Sequence, residues 1–369
     1  MEPIAVTGIG ITTSLGTGRE ENWRKLRSGV AGFAPITRFE LGDYPVREGG
    51  EAPEVVLPDI RDVEPPELRQ LAAACLEACR EAGLEGGCFP DPDRAALVVG
   101  SSLAGSSTGD RFFAGYLEHG PRGADFGVLE GYYIESQLEC LARRLRIAGP
   151  SVVVSNACAA GGSSIARGAA LLEAGRADRA LCSGYDPLSV FTFAGFGSLL
   201  ALSTSRVRPF SRNRDGMLLG DGFAALVLER AADADRSRRP PLGFLVGYGE
   251  SADSHHLTHP HPEGSGAALA MRRALEMAGI APEDIGYINC HGTATRPNDA
   301  AEARAMRSVF GERLREIPVS SSKPFFGHTL GGAGTVEAVV TLLALEHQFL
   351  PPTLNAGAPD PALGELALV

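Results

Sequence analysis

The sequence predicts an α/β fold built from two related halves. Two observations carry that prediction. Short β-branched runs alternate with long Ala/Leu-rich stretches along the chain, as expected of strands buried between helical layers. A pattern of strand end, turn, glycine pair and helix also occurs twice. The two copies lie on either side of "RAADADRSRRPP", residues 230–241, a basic, proline-bearing segment that reads as a surface linker. The chain therefore divides into halves 1–240 and 241–369.

The first half opens on the apolar run "IAVTGIG" (4–10), followed by the helical pattern "PPELRQLAAACLEACREAGL" (65–84). Strand runs "AALVVGSS" (95–102) and "SVVVSNA" (151–157) come next, then the helix "GSSIARGAALLEAG" (162–175). The runs "RALCSGY" (179–185) and "FAALVLE" (223–229) complete this half. In the second half, "LGFLVGYGES" (242–251) reads as a strand and "GSGAALAMRRALEMAGI" (264–280) as a helix. Strands "IGYINCHG" (285–292) and "IPVSSSK" (317–323) follow, then the helix "GGAGTVEAVVTLLALEHQ" (331–348). "IAVTGIG" resembles "FLVGYGE", and "ALVVGSS" resembles "YINCHGT".

Of the 369 residues, 44% are hydrophobic and 21% charged, which suits a large core rather than disorder. The net charge of −11 argues against a nucleic-acid binder, which needs a basic footprint. It also makes an acidic protein partner awkward unless basic residues cluster locally. The start, "MEPIAVTGIGITTSLG", lacks the basic region of a secretory signal, and no apolar run is long enough to span a membrane. The seven cysteines, at 75, 79, 88, 140, 158, 182 and 290, include no CxxC pair. An odd count without pairing implies reduced thiols and a cytoplasmic setting.

The repeat singles out two turns. Cys158 is followed at +3 and +4 by Gly161 and Gly162, then by a helix with Ile165, Ala169 and Leu172 on one face. His328 is followed at +3 and +4 by Gly331 and Gly332, then by Val336, Val339, Val340 and Leu343. Each is preceded by a Val-Ser strand end. His291 ends another strand in the second half. Two halves packed back to back would bring all three together.

A lone cysteine is most often a buried small hydrophobe. At a helix start, however, unpaired N–H groups and the helix dipole stabilise a thiolate and lower its pKa. The glycine pair admits a close approach of substrate or backbone, and an N–H at such a turn can face an oxyanion. The histidines add to this. His291 lies in "NCHGTATRPND" beside Thr293 and Thr295, and Lys323 stands five residues before His328 in "SSKPFFGHTLGGAG". A lone histidine is usually a satisfied core or surface residue. A thiol, two imidazoles and an ammonium in Gly/Thr/Ser-rich turns are instead the parts for acyl transfer through a thioester.

Four segments, "VSNACAAG", "RPFSRNRDGMLLGDGFAALVLE", "YINCHGTATRPND" and "SSKPFFGHTLGGAGTVEA", closely resemble the β-ketoacyl synthases that elongate chains on acyl carrier protein. The resemblance runs from residue 3 to about residue 366. It implies a thiolase-like α/β fold with two similar half-domains in five αβαβα layers. It further implies Cys158 as the acylated nucleophile, and His291 and His328 as the pair that promotes malonyl decarboxylation. Lys323 and Glu337 match the family's supporting lysine and glutamate. Thr293 and Thr295 match positions that touch the phosphopantetheine arm. No cofactor is implied beyond the arm that the carrier protein brings. A homodimer, or a heterodimer with a related subunit, is expected.

Two departures stand out. The family normally runs past "PPTLNAGAPDPALGELALV" into final strands with a GFGG-type loop, which gates the acyl site and supplies a second oxyanion N–H. The expectation is that the sequence is trimmed at Val369, since losing one such donor costs about 10²–10³ in rate. The second departure concerns the carrier surface. Where relatives carry several basic residues near residue 66 and an arginine at the "ALST" segment, this chain offers Arg69 and Leu200. Arg69, Arg122 and Arg208 are the expected carrier contacts, which implies weak carrier binding or a dedicated carrier.

Two other motifs carry a weaker signal. "SHHLTHPHP" holds His255, His256, His259 and His261, but no cysteine or carboxylate completes a zinc-like spacing, so no metal is expected. "VTGIGITTSLG" lacks the spacing and the later acidic residue of a dinucleotide fingerprint. The expected reaction is a decarboxylating Claisen condensation of an acyl thioester on Cys158 with malonyl-carrier, in fatty-acid or polyketide elongation. The alternatives are an acyltransferase or thioesterase that does not elongate, and a chain-length-factor-like partner subunit. Such partners usually lack the nucleophile, and Cys158 is present.

Overall fold

The computed structural model describes residues 2–57, 65–87, 89–234 and 240–369. Cys88 and positions 235–239 of the expected linker lie outside the described residues. The strands are β1 (Ile4–Thr13), β2 (Gly16–Thr17), β3 (Ala34–Pro35), β4 (Glu48–Gly49), β5 (Ala95–Gly100), β6 (Ser151–Val154), β7 (Arg179–Asp186), β8 (Gly222–Arg230), β9 (Gly243–Leu245), β10 (Ile288–Asn289), β11 (Pro318–Ser320) and β12 (Ala367–Leu368). The helices are α1 (Arg19–Arg27), α2 (Glu67–Glu81), α3 (Ser106–His119), α4 (Ile134–Arg144), α5 (Ala160–Glu173), α6 (Val190–Ser198), α7 (Ala231–Ala234), α8 (Ser265–Ala278), α9 (Arg296–Phe310), α10 (Lys323–Phe326) and α11 (Ala333–His347).

A mixed seven-stranded sheet, ordered β2-β1-β8-β7-β5-β6 with β9 also on β1, forms the larger layer. Its inner strands are apolar at nearly every position because both faces are covered. Every residue of β1 and of β5 is buried. Helix α2 packs on one face, against β1 and β8, while α5 and α11 pack on the other. Helix α11 then faces a second, parallel sheet, β10-β11-β12, where Asn289 on β10 donates to the Glu337 carbonyl. On the far side of that sheet Met306 and Phe310 of α9 join Val319 and Cys290 in a separate apolar core, with Met271 and Leu275 of α8 against it. The order is thus helix, sheet, helices, sheet, helices. These are the five αβαβα layers expected of a thiolase-like α/β fold.

One local device recurs. At Gly8 and Gly10 of β1 an added Cβ would stand 2.0 Å from the carbonyl oxygens of Ala78 and Ala74 on α2. At Gly247 and Gly249 it would stand 2.4 and 1.9 Å from those of Ala274 and Ala270 on α8. The two segments paired in the sequence therefore both seat a helix directly on bare backbone. They differ in hydrogen bonding. The expected strand 242–251 is strand only over Gly243–Leu245, and it pairs antiparallel with β1 of the first sheet. The expected strand 285–292 is likewise reduced to Ile288–Asn289.

Candidate active site

Strand β6 delivers the chain to a tight turn in which Ala157 takes φ 55°. That left-handed residue swings Cys158 away from the line of the strand, just before α5 begins at Ala160. From the other half, α10 ends at Gly327 with φ 90°, and His328 follows. Leu330, at φ 51°, then leads into α11. His291 follows β10, and Ala294, at φ 65°, turns the chain toward α9. Non-glycine residues in this region are strained. Three of them sit one to three residues from the three chemical side chains.

The turns meet because neither carries bulk where they touch. A Cβ at Gly161 would lie 2.8 Å from the Gly331 carbonyl oxygen, and one at Gly334 would lie 2.2 Å from Gly162 N. This contact between the starts of α5 and α11 assembles the site. The Cys158 sulfur and one nitrogen of each imidazole all lie within 4.8 Å of one another. The rings of His291 and His328 stand 5.1 Å apart at 83°.

Hydrogen bonds fix which nitrogen of each ring carries the proton. The Leu330 N–H donates to His328 Nδ1 at 3.1 Å. The Lys323 ammonium, which has only protons to offer, donates to His291 Nδ1 at 3.3 Å. With both Nδ1 atoms accepting, both Nε2 atoms carry hydrogen. Burial and the Lys323 charge hold both imidazoles well below the usual histidine range, so they are neutral at pH 7. The trio thus offers a sulfur and two N–H donors.

Lys323 is buried and paired with Glu337, so its charge is compensated. Burial pushes the Glu337 carboxyl up while Lys323 pulls it back. The Cys158 thiol is half-buried, and burial pushes it up to about 11 against the pull of Lys323, with Asp186 adding to the rise. Its place at a helix start alone predicts a lowered value. Desolvation outweighs the helix end here.

Two carboxylates absent from the sequence reading hold the backbone. Glu302 accepts from His291 N at 2.6 Å and Gly292 N at 2.8 Å. Asp186 accepts from Leu103 N at 2.8 Å and Gly331 N at 2.7 Å, and also from the Ser101 hydroxyl. The signal for Glu302 was legible in "RPNDAAEA", where Asp299 and Glu302 lie three apart at the start of α9. For Asp186 no local pattern exists, since its partners lie in distant segments.

A cavity of about 560 Å³ opens on Cys158, His291 and His328. Thr293 and Thr295 line it, their hydroxyls 2.8 Å apart. His259 and Arg296 line it too. A second cavity of about 610 Å³ is walled by Phe112, Phe113, Tyr132, Tyr133 and Phe191. It adjoins the Cys158 turn, where Ser102 Oγ donates to the Ala157 carbonyl at 3.3 Å. The expected carrier contacts are dispersed. Arg69 faces a small groove with Glu54 and Gln70, Arg122 is exposed after α3, and Arg208 donates to the Asn213 carbonyl at 3.2 Å. None of the three lines the cavity at Cys158.

A displayed thiol with two neutral N–H donors and a buried lysine–glutamate pair, set between two αβ units, defines a thiol-dependent acyl-transfer enzyme. The chain belongs to the β-ketoacyl synthase family: the model of the family's N-terminal domain matches residues 1–234 and that of its C-terminal domain residues 242–357. The 3-oxoacyl-[acyl-carrier-protein] synthase 2 of Coxiella burnetii is 31% identical over 371 residues, covering 97% of this chain and 89% of that protein. Among solved structures, the ishigamide ketosynthase/chain length factor superposes with a TM-score of 0.92 at 33% identity, covering 100% of this chain and 92% of that one. A type II polyketide acyl-carrier protein in complex with its ketosynthase gives 0.90 at 25% identity, with 100% and 92% coverage. The chain is accordingly a condensing enzyme of the elongating type. No helix among the described residues is long and apolar enough to cross a membrane.

Proposed function

We propose that Cys158 carries the growing acyl chain and that His291 and His328 drive decarboxylation of the incoming malonyl unit. The observation that carries this reading is the grouping of the Cys158 sulfur, within 4.8 Å, with one nitrogen of each of two imidazoles whose Nδ1 atoms accept hydrogen bonds and leave the hydrogen on Nε2. In the first step the thiol attacks the acyl thioester of a carrier protein. The acyl–sulfur bond to the carrier breaks, and the proton of Cys158 ends on the departing arm. Malonyl-carrier then binds with Thr293 and Thr295 against its phosphopantetheine. The bond from the α-carbon to the carboxylate breaks, carbon dioxide leaves, and the electron pair forms an enolate. Its oxygen accepts from the imidazole N–H groups, which are buried and already oriented. The enolate carbon attacks the acyl-Cys158 carbonyl, and the sulfur departs as thiolate and takes up a proton. Lys323 and Glu337 act through His291, keeping its proton on Nε2.

The aromatic-walled cavity beside the nucleophile turn suits the acyl chain. Arg69, Arg122 and Arg208 are proposed carrier contacts, and the two halves are proposed to divide at 240/241. A related subunit, identical or not, would pair at the half-exposed edge strand β6. The free cysteines among the described residues support a reducing, cytoplasmic setting.

The test uses Cys158→Gln, whose amide stands in for the acyl-thioester carbonyl. Malonyl-carrier decarboxylation should persist in this variant. It should fall about 10²–10³-fold when His291→Ala or His328→Ala is added. Undiminished decarboxylation in both double variants would remove the histidines from the mechanism.

A further inference from the structure

The cavity at Cys158 runs from a buried floor to an exposed rim. His328 and Thr293 at the floor are 2% and 4% exposed, while Leu200 at the rim is 89% exposed, and His259, Arg296 and Pro297 beside it are exposed as well. Arg296 is the only lysine or arginine among the described residues that line the cavity. No carboxylate among the described residues pairs with it. The carboxylate that shares the cavity, Asp215, is already engaged by the hydroxyls of Ser203 at 2.8 Å and Ser205 at 3.0 Å. Arg296 also opens the 15-residue helix α9, so the positive end of that helix adds to its charge.

An unpaired guanidinium at the mouth of a reactive channel calls for an anion there. We infer that Arg296 anchors the phosphate of the phosphopantetheine arm, an assignment that rests on the reading of Cys158 as the acylated nucleophile. The arm's thioester end must reach the sulfur at the floor. Its other end, which carries the phosphodiester to the carrier, then crosses the rim. A planar guanidinium with its donors in a fork matches phosphate oxygens and stays charged at every working pH. The carboxylate that leaves as carbon dioxide reacts beside the floor histidines, away from the rim. Arg296 is thus a positioning and specificity residue that senses the phosphorylated arm apart from the carrier's protein surface.

Binding of phosphopantetheine and of pantetheine, measured by isothermal titration on the intact protein, tests this directly. Wild type should prefer the phosphorylated arm by about 10- to 100-fold, the range of a charge-assisted hydrogen bond. Arg296→Ala should bring that ratio close to one, and Arg296→Lys should restore part of it. The kcat/KM ratio for malonyl units on the same two arms should follow. A wild-type ratio near one would overturn the assignment, as would equal weakening of both arms in Arg296→Ala. A loss seen only with the intact carrier would point to an acidic protein surface and overturn it too. A wild type that binds the arms as expected but condenses nothing would sink the proposed reaction and leave the phosphate assignment standing.

Discussion

The Cys158 and His328 turns use one backbone device for opposite ends. The Cys158 turn follows strand β6 and the His328 turn follows the short helix α10, yet both contain a left-handed non-glycine residue within two positions and both lead into a long helix with a glycine pair at or just before its start. At the first turn the left-handed residue precedes the chemical group, Ala157 before Cys158, and the side chain is thrown into a half-open space. At the second it follows, Leu330 after His328, and its N–H returns to the ring as a hydrogen bond. One turn displays a thiol. The other buries a donor and fixes its tautomer. The order of strained residue and chemical residue decides between a group that must move with substrate and one that must not.

The largest expected effect tests the fixed side of that comparison. Lys323→Met leaves the Glu337 carboxyl buried without its partner, and breaking such a pair costs about 3–5 kcal/mol. It also removes the donor that holds the His291 proton on Nε2. Thermal unfolding should show the loss of stability. The double variant Lys323→Met/Glu337→Leu should recover most of that stability but not decarboxylation. Recovery of both together would show that the pair is structural and leaves the tautomer of His291 to other groups.

The contact between the turns should matter next. In Gly161→Ala the new Cβ meets backbone, the Gly331 carbonyl oxygen at 2.8 Å and Thr335 N at 2.9 Å. In Gly331→Ala the nearest atom belongs to a side chain, Asp186 Oδ2 at 2.6 Å, which can shift only by lengthening its bonds to Leu103 N and the Ser101 hydroxyl, a smaller disturbance than moving two backbone segments. Overpacking against rigid neighbours costs about 1–3 kcal/mol. Gly161→Ala should therefore lose more stability in urea unfolding than Gly331→Ala, and more decarboxylation activity. The reverse order would mean that Asp186, rather than the glycine contact, sets the separation of the turns.

Much of this site could be read from the sequence, for a physical reason. Cys158 and His291 sit in short strand-to-helix turns, and Lys323 and His328 in the one-turn helix α10 and the turn after it, all with glycines and neighbours that leave a local imprint. The main helices were legible through their apolar faces, and α2, α5, α8 and α11 lie where their patterns place them. What was hidden is non-local. The Cys158 thiol is raised by the dry surroundings that the fold creates, and no spacing reports desolvation. Asp186 joins residues 101–103 to residue 331, and such a bridge exists only after folding. The segment 242–251 has a strand's composition, but only Gly243–Leu245 find a partner, and that partner lies in the other half. Arg296 looks ordinary until its place on the rim is known.

The smallest effect separates the two turns by pH. The His328 imidazole is held well below its ordinary value of 6.5, by burial first and by Lys323 and His291 after it. Below pH 6.5 the unfolded chain takes up a proton at this position that the folded chain refuses. Stability from this residue is therefore complete above pH 6.5 and falls as pH drops below it, by about 1.4 kcal/mol per pH unit. The Cys158 thiol is raised to about 11 from an ordinary value of 9.0. The unfolded chain then loses this proton first as pH rises above 9, so the loss lies on the alkaline side, between about 9 and 11. Unfolding free energies measured from pH 5 to pH 10.5 should show the split as differences from wild type. His328→Gln should flatten the acid limb alone, and Cys158→Ser the alkaline limb alone. A Cys158→Ser variant that leaves the alkaline limb unchanged would mean that the thiol is wetter than its surroundings suggest. Its alkylation by iodoacetamide would then level off near pH 9 instead of continuing to rise, because the thiolate is the reacting form.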